Sequence, residues 1–142
     1  MAHQVTVFAE NKPGRLGRIT RILAGAGVNL RAFTIADSGD FGVLKFVVDR
    51  PDAAHKALTD AGLVARKREV LAIEMEDQPG GLSRIAQVLE ERGINITDAT
   101  AFITGQKGKA VLLVETERIP EAERVVAQAG LKTLSDDEIY SL

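Results

Sequence analysis

The stretch Glu10–Ala36 reads ENKPGRLGRITRILAGAGVNLRAFTIA, and Glu76–Phe102 reads EDQPGGLSRIAQVLEERGINITDATAF. Set one above the other, they align without a gap at an offset of 66 residues. Glu10/Glu76, Pro13/Pro79, Gly14/Gly80, Leu16/Leu82, Arg18/Arg84, Ile19/Ile85, Leu23/Leu89, Gly27/Gly93, Asn29/Asn95 and Thr34/Thr100 are identical pairs. Val28/Ile94 and Leu30/Ile96 are apolar exchanges. After a one-residue shift the pattern resumes, with Phe41–Asp49 against Gly108–Thr116. It resumes again at Asp60-Ala61-Gly62-Leu63 against Gln128-Ala129-Gly130-Leu131. Self-similarity of this length marks a duplicated unit. The chain is expected to be two copies of one fold, residues 1–68 and 69–142.

Working outward from the repeat, Gln4–Ala9 alternates around Val5, Val7 and Ala9, as a strand does. Pro13 is expected in the first turn of a helix, where its missing N–H costs nothing. Leu16, Ile19, Ile22, Leu23 and Ala26 follow at helical spacing, and Gly27 ends the run. Asn29–Ala36 and Phe41–Asp49 read as strands around a hairpin turn at Asp37-Ser38-Gly39-Asp40. Pro51 opens a second helix that Gly62 closes, and Leu63 begins a further strand. The second copy repeats the order with Val70–Glu76, Gly80–Arg92, Ile94–Ile103, Lys109–Thr116, Pro120–Ala129 and a strand from Leu131. Ser135-x-x-Glu138 then reads as a capping box ahead of a short C-terminal helical turn.

The order β-α-β-β-α-β, with right-handed crossovers, gives a four-stranded antiparallel sheet with helices on one face, the ferredoxin-like α+β sandwich. A unit of about 70 residues buries only about 60% of its unfolded surface, so the two copies are expected to pack together. Val64–Met75 runs from one copy into the next without Pro or Gly.

Composition narrows function further. The chain has 142 residues, a net charge of −2, no Cys and 4% aromatic residues. No run approaches the roughly 20 apolar residues of a membrane span. The start lacks the basic flank and apolar run of a secretory signal, and a Cys-free chain suits a reducing compartment, so a cytoplasmic protein is expected. RNA-binding domains share the βαββαβ order but stack bases on sheet aromatics beside basic residues, which this composition disfavours. His3 and His55 are the only histidines, neither with a convincing nucleophile or metal-ligand set nearby. No catalytic residue, metal or cofactor is expected. Gly25-Ala26-Gly27 ends a helix and is no dinucleotide fingerprint, and Gly105-x-x-Gly108-Lys109 lacks P-loop spacing. Arg15, Arg18 and Arg21, with Arg66-Lys67-Arg68, read most simply as solvated faces.

Glu10-Asn11-Lys12-Pro13-Gly14-Arg15-Leu16 followed by Gly27-Val28-Asn29-Leu30 resembles the ACT-domain signature. Glu76-Asp77-Gln78-Pro79-Gly80-Gly81-Leu82 with Gly93-Ile94-Asn95-Ile96 resembles it a second time. The whole is similar to stand-alone proteins of two ACT units without a catalytic domain. The resemblance implies a non-catalytic regulator that binds a small amino acid where ACT units meet, works as a homodimer and acts on an amino-acid biosynthetic enzyme. It implies ligand-binding residues Asn11, Pro13, Gly14, Leu16, Asn29 and Leu30 in the first copy. In the second they are Asp77, Gly80, Leu82, Asn95 and Ile96. Serine-binding members carry a His where this chain has Ala9 and Met75.

The chemistry of these residues suits that role. Helix-start N–H groups attract a carboxylate, a glycine there leaves room for approach, and Asn offers both donor and acceptor. Asp77 favours an ammonium and repels a carboxylate, so the two copies are expected to be unequal, with the first the better match. Two alternatives stay open: a ligand-free interaction scaffold, and a regulatory subunit of branched-chain amino-acid synthesis. Pro-Gly and post-helix Asn are also ordinary turn chemistry.

Overall fold

A computed structural model describes all 142 residues. The elements are β1 (Ala2–Glu10), α1 (Arg15–Gly25), β2 (Leu30–Ser38), β3 (Phe41–Val48), α2 (Pro51–Asp60), β4 (Val64–Glu76), α3 (Gly81–Glu90), β5 (Asp98–Ile103), β6 (Lys109–Glu115), α4 (Ile119–Gln128), β7 (Thr133–Leu134) and α5 (Asp136–Tyr140). They form two compact units: His3–Arg68, and Glu69–Leu142 together with Met1–Ala2. Against the expected division at residue 68, the first two residues go with the second unit: the Met1 carbonyl accepts from the Asp136 N–H at 3.3 Å.

In the first unit the strand order is β2-β3-β1-β4. β1 pairs antiparallel with β3 (Val5↔Phe46, Val7↔Leu44), and β3 with β2 (Phe33↔Phe46, Ile35↔Leu44). Side chains directly opposite share a face. Val5, Val7, Leu44, Phe46 and Val48 thus turn together toward Ile19 and Leu23 of α1 and Ala54 and Leu58 of α2, and all are buried. The alternation and the helical stripe read from the sequence meet in this core. Phe33, on the outermost strand, stacks on Phe46 with ring centroids 6.2 Å apart and remains 50% exposed.

The second unit repeats the order as β5-β6-β4-β7. Leu71 and Ile73 of β4, with Leu112 and Val114 of β6, pack on Ile85, Leu89, Ala122, Val125 and Val126. The single 13-residue strand β4 closes one unit and opens the next. The C-terminal capping box is present: Ser135 Oγ accepts from the Glu138 N–H at 3.3 Å, and Glu138 accepts from the Ser135 N–H at 3.2 Å.

Several boundaries differ from the sequence reading, each for a local reason. α1 starts at Arg15, not Pro13, because Gly14 ahead of it takes φ 90° and breaks helical geometry. Gly80 does the same before α3 at φ 89°. β2 runs on to Ser38, so the hairpin turns on Gly39-Asp40, with Gly39 at φ 67°. β5 begins only at Asp98, since Ile94 is drawn into the core beneath α3.

Arg18 and Arg84 are not solvated helix decoration. Arg18 donates to the Ala61 carbonyl at 3.0 Å, and Arg84 to Ala129 at 3.2 Å, tying the second helix of each unit at its C-terminus. In return Arg50, just ahead of α2, donates to the Ala26 and Gly27 carbonyls at the end of α1. Arg118 does so for Arg92 and Gly93 at the end of α3. Each pair of helices is cross-capped by cations at the ends where carbonyls lack intrahelical partners. Arg18→Ala and Arg84→Ala are each expected to cost about 1 kcal/mol in urea unfolding, the scale of an exposed charge-assisted hydrogen bond. Arg124→Ala, at an exposed helix position, should stay within about 0.5 kcal/mol of the parent.

Candidate functional site

The β1–α1 turn is built from backbone bonds. The Asn11 N–H donates to the Asp40 carbonyl at 2.7 Å, and Lys12 N–H to Glu10 at 3.0 Å. Asn11 Nδ2 donates to the Gly39 carbonyl at 3.3 Å, so this side chain fastens the turn to the β2–β3 hairpin. Asp77 occupies the matching place, its N–H donating to the Gly108 carbonyl at 3.0 Å.

A Cβ added to Gly14 or Gly80 would meet no atom within 4 Å, so these glycines serve the left-handed turn and not close packing. Gly81 has the opposite reason: its added Cβ would fall 2.1 Å from the Glu76 carbonyl oxygen. α1 and α3 begin with neither a side-chain cap nor an acidic residue in the first turn. α2 and α4 also lack side-chain caps but carry Asp52 and Glu121 there. The positive ends of α1 and α3 therefore have no compensating side chain in their own first turns.

Arg15 is not on a solvated face either. It makes a two-pronged pair with Asp37, at 2.7 Å from Nη1 to Oδ1 and 2.9 Å from Nη2 to Oδ2. A Cβ on Gly42, opposite Asp37 on β3, would lie 2.1 Å from that carboxylate and 2.5 Å from Arg15 Nη1. The missing side chain makes room for the pair. The hydrogen bond from Arg15 holds the Asp37 carboxyl below its ordinary value, and Asp37 raises Arg15. The second unit has no counterpart, with Gly81 in place of Arg15 and Ile103 facing Ala110 on the paired strands. The sequence reading missed this pair because its members lie 22 residues apart on different elements.

The candidate ligand residues fall into separate places. Pro13 and Gly14 line a cavity of about 490 Å³ in the first unit, and Gly80 lines one of about 360 Å³ in the second. Leu16 and Leu30 pack against the first core, while Leu82 is 52% exposed. The Asn29 backbone is tied to Asp49: its N–H donates to the side-chain Oδ1 at 3.0 Å, and its carbonyl accepts from the Asp49 N–H at 3.2 Å. Asn95 and Ile96 line a shallow recess with Glu90 and Gly93. Neither Asn11 nor Asn29 lines the first of these cavities, and neither Asp77 nor Asn95 lines the second.

His55 Nε2 lies 3.1 Å from the Ala65 carbonyl, and His3 sits within β1. No group of three or more His, Asp or Glu side chains is placed to hold a metal ion. No helix is long and apolar enough to cross a membrane.

The whole chain, residues 1–142, matches the ACT domain pair family, and it belongs to that family. Protein BT0572 from Bacteroides thetaiotaomicron has a crystal structure that superposes with a TM-score of 0.91 at 30% identity, covering 99% of this chain and 96% of that one. The ligand-free regulatory subunit of aspartate kinase from Thermus thermophilus shares the fold, with a TM-score of 0.65 at 18% identity over 90% of this chain and 92% of that one. The acetolactate synthase small subunit of Mycobacterium bovis is 23% identical over 94% of this chain and 91% of its own length.

The Arg15–Asp37 pair carries a pH signature. A carboxyl held below its ordinary value contributes stability that is present above the unfolded pKa, near 3.8, and is lost as pH falls through the lower folded value. Asp37→Asn should therefore unfold at lower urea than the parent at pH 7. The gap should narrow as pH drops below 3.8 and close only below the lower folded value, where the parent carboxyl is protonated in both states.

Proposed function

We propose that this chain is a non-catalytic regulator in the cytoplasm that binds a small amino acid between ACT units and passes its occupancy to an amino-acid biosynthetic enzyme. The observation that carries this reading is the uncompensated helix start after a left-handed glycine, present twice. At α1 and α3 the backbone N–H groups and the positive helix end lack an acidic partner, as a carboxylate-binding turn requires. Asn29 and Asn95 supply amide chemistry for the rest of a zwitterion.

The outermost strand β2 exposes Phe33 and Ile35, and this open edge supports a homodimer formed by a second copy pairing there. The enzyme partner is suggested by the names of relatives, a small subunit of acetolactate synthase and a regulatory subunit of aspartate kinase. Ligand held between units favours one arrangement over another, which is all that transmission of the signal needs.

Thermal unfolding against each of the twenty amino acids tests this. At a hundredfold excess over Kd, a true ligand adds about 2.7 kcal/mol, an upward shift of roughly 5–10 °C for a chain this size. Asn11→Ala and Asn29→Ala should remove the shift. Silence from every amino acid, or a shift indifferent to both substitutions, would leave the scaffold reading in its place.

A further inference from the structure

The two cavities at the β1–α1 and β4–α3 turns are the same place in the duplicated unit. Each lies among the end of the first strand, the Pro-Gly turn, an arginine of the first helix (Arg18 or Arg84) and the loop after the second helix (Gly62–Val64 or Gly130–Lys132). Their walls have diverged in a consistent direction. Phe8, Ala9 and Val64 of the first unit stand where the second has Glu74, Met75 and Lys132, and Phe41 stands where it has Lys109.

In the second unit two carboxylates, Glu74 and Glu76, stand among the cations, and one cation is paired with both. Lys109 lies 3.5 Å from Glu74 and 2.5 Å from Glu76, and the Glu76 hydrogen bond raises it above its ordinary value. Met75 also fills space, its Cγ 3.5 Å from where a Gly81 Cβ would stand. The first cavity is larger, about 490 Å³ against about 360 Å³, within the range that holds a small metabolite.

The first cavity is also unbalanced. Its apolar walls include Phe41, 60% exposed, and Val64, 59% exposed. Around them stand Lys12, Arg15, Arg18 and Arg21. Glu10, the one carboxylate of the lining, is held by Lys12 at 3.0 Å, and Arg15 is held by Asp37. Arg18 uses one nitrogen on the Ala61 carbonyl. Arg21 makes no ion pair: its guanidinium lies back over Gly17, where a Cβ would be 3.2 Å from Nη1. Two positive charges therefore remain beside an apolar surface, and no unengaged carboxylate faces them.

We propose that the first-unit cavity binds a carboxylate with a branched or aromatic side chain and no ammonium group, the chemistry of an apolar 2-oxo acid. Arg21 and Arg18 take the carboxylate, and Phe8, Phe41, Leu63 and Val64 cover the side chain. An ammonium here would meet the surplus cations, worth about a factor of five against it for each charge at 4 Å in water. The site shares Pro13 and Gly14 with the amino-acid reading above but includes neither Asn11 nor Asn29, and it differs in excluding an ammonium.

Isothermal titration of the full chain with 4-methyl-2-oxopentanoate and phenylpyruvate, against L-leucine and L-phenylalanine, tests the proposal. At least one oxo acid should bind, roughly fivefold or more tighter than its amino acid in this cavity. Ala9→Met and Arg21→Gln each place the residue that the second unit carries at the matching position, Met75 and Gln87. Each should weaken the oxo acid about tenfold or more, the first by overpacking and the second by losing a charge-assisted bond. Lys12→Gln, matching Gln78, serves as a second charge variant if Arg21→Gln fails to fold. Asn29→Ala, outside the cavity lining, should leave this binding intact, so the failure of either reading is seen separately. Absence of heat with both oxo acids, equal affinity for the amino acids, or indifference to Ala9→Met would overturn the proposal.

Discussion

Gly14 and Gly80 hold φ near 90°, a conformation that costs an L side chain about 1–2 kcal/mol, and each turns the chain from a strand into a helix that no side chain caps. The positions of everything around the turn follow from that geometry. Because α1 begins at Arg15 and not at Pro13, Arg15 faces Asp37, Arg18 reaches the end of α2 and Arg21 lies over Gly17. A helix begun two residues earlier would rotate each of these arginines by half a turn or more at 3.6 residues per turn. The same turn in the second unit aims Arg84 alike, but with Gly81 and Gln87 at the other two positions α3 carries no row of three arginines.

The cross-caps explain why Arg18 and Arg84 are identical in the two copies while Arg15 and Arg21 are not. A cation at the C-terminus of the neighbouring helix serves each fold, since both units leave carbonyls there without intrahelical partners. The Arg15–Asp37 pair serves only the first unit and needs Gly42 for room. Structural need and local divergence are thus interleaved on one helix face, three residues apart.

The duplication, element order and cores were legible in the sequence because they depend on periodicity, which is local. Val5, Val7, Ile19, Leu23 and Leu58 are buried as their spacing required. The short capping box at Ser135 was legible for the same reason, since all its partners lie within three residues. The arginines were not. A charged residue at helical spacing looks solvated unless its partner is known, and the partners of Arg15, Arg18 and Arg50 are 22, 43 and 23 to 24 residues away. The candidate turn was legible as a motif. That Asn29 lies outside the lining of the cavity at this turn was not, because that depends on how the helix between them is seated.

Duplication also removes a constraint. A single unit with a cavity at its turn must either keep that cavity open, exposing apolar wall, or fill it and lose a place to bind. Two copies let one do each. Met75 narrows the second unit's turn cavity and Glu76 pairs Lys109 there, which spares it the exposure of Phe8, Phe41 and Val64 that the first retains. The first keeps the exposure together with unpaired cations, a combination that packing alone does not favour and that a bound anion with an apolar body would satisfy on both counts.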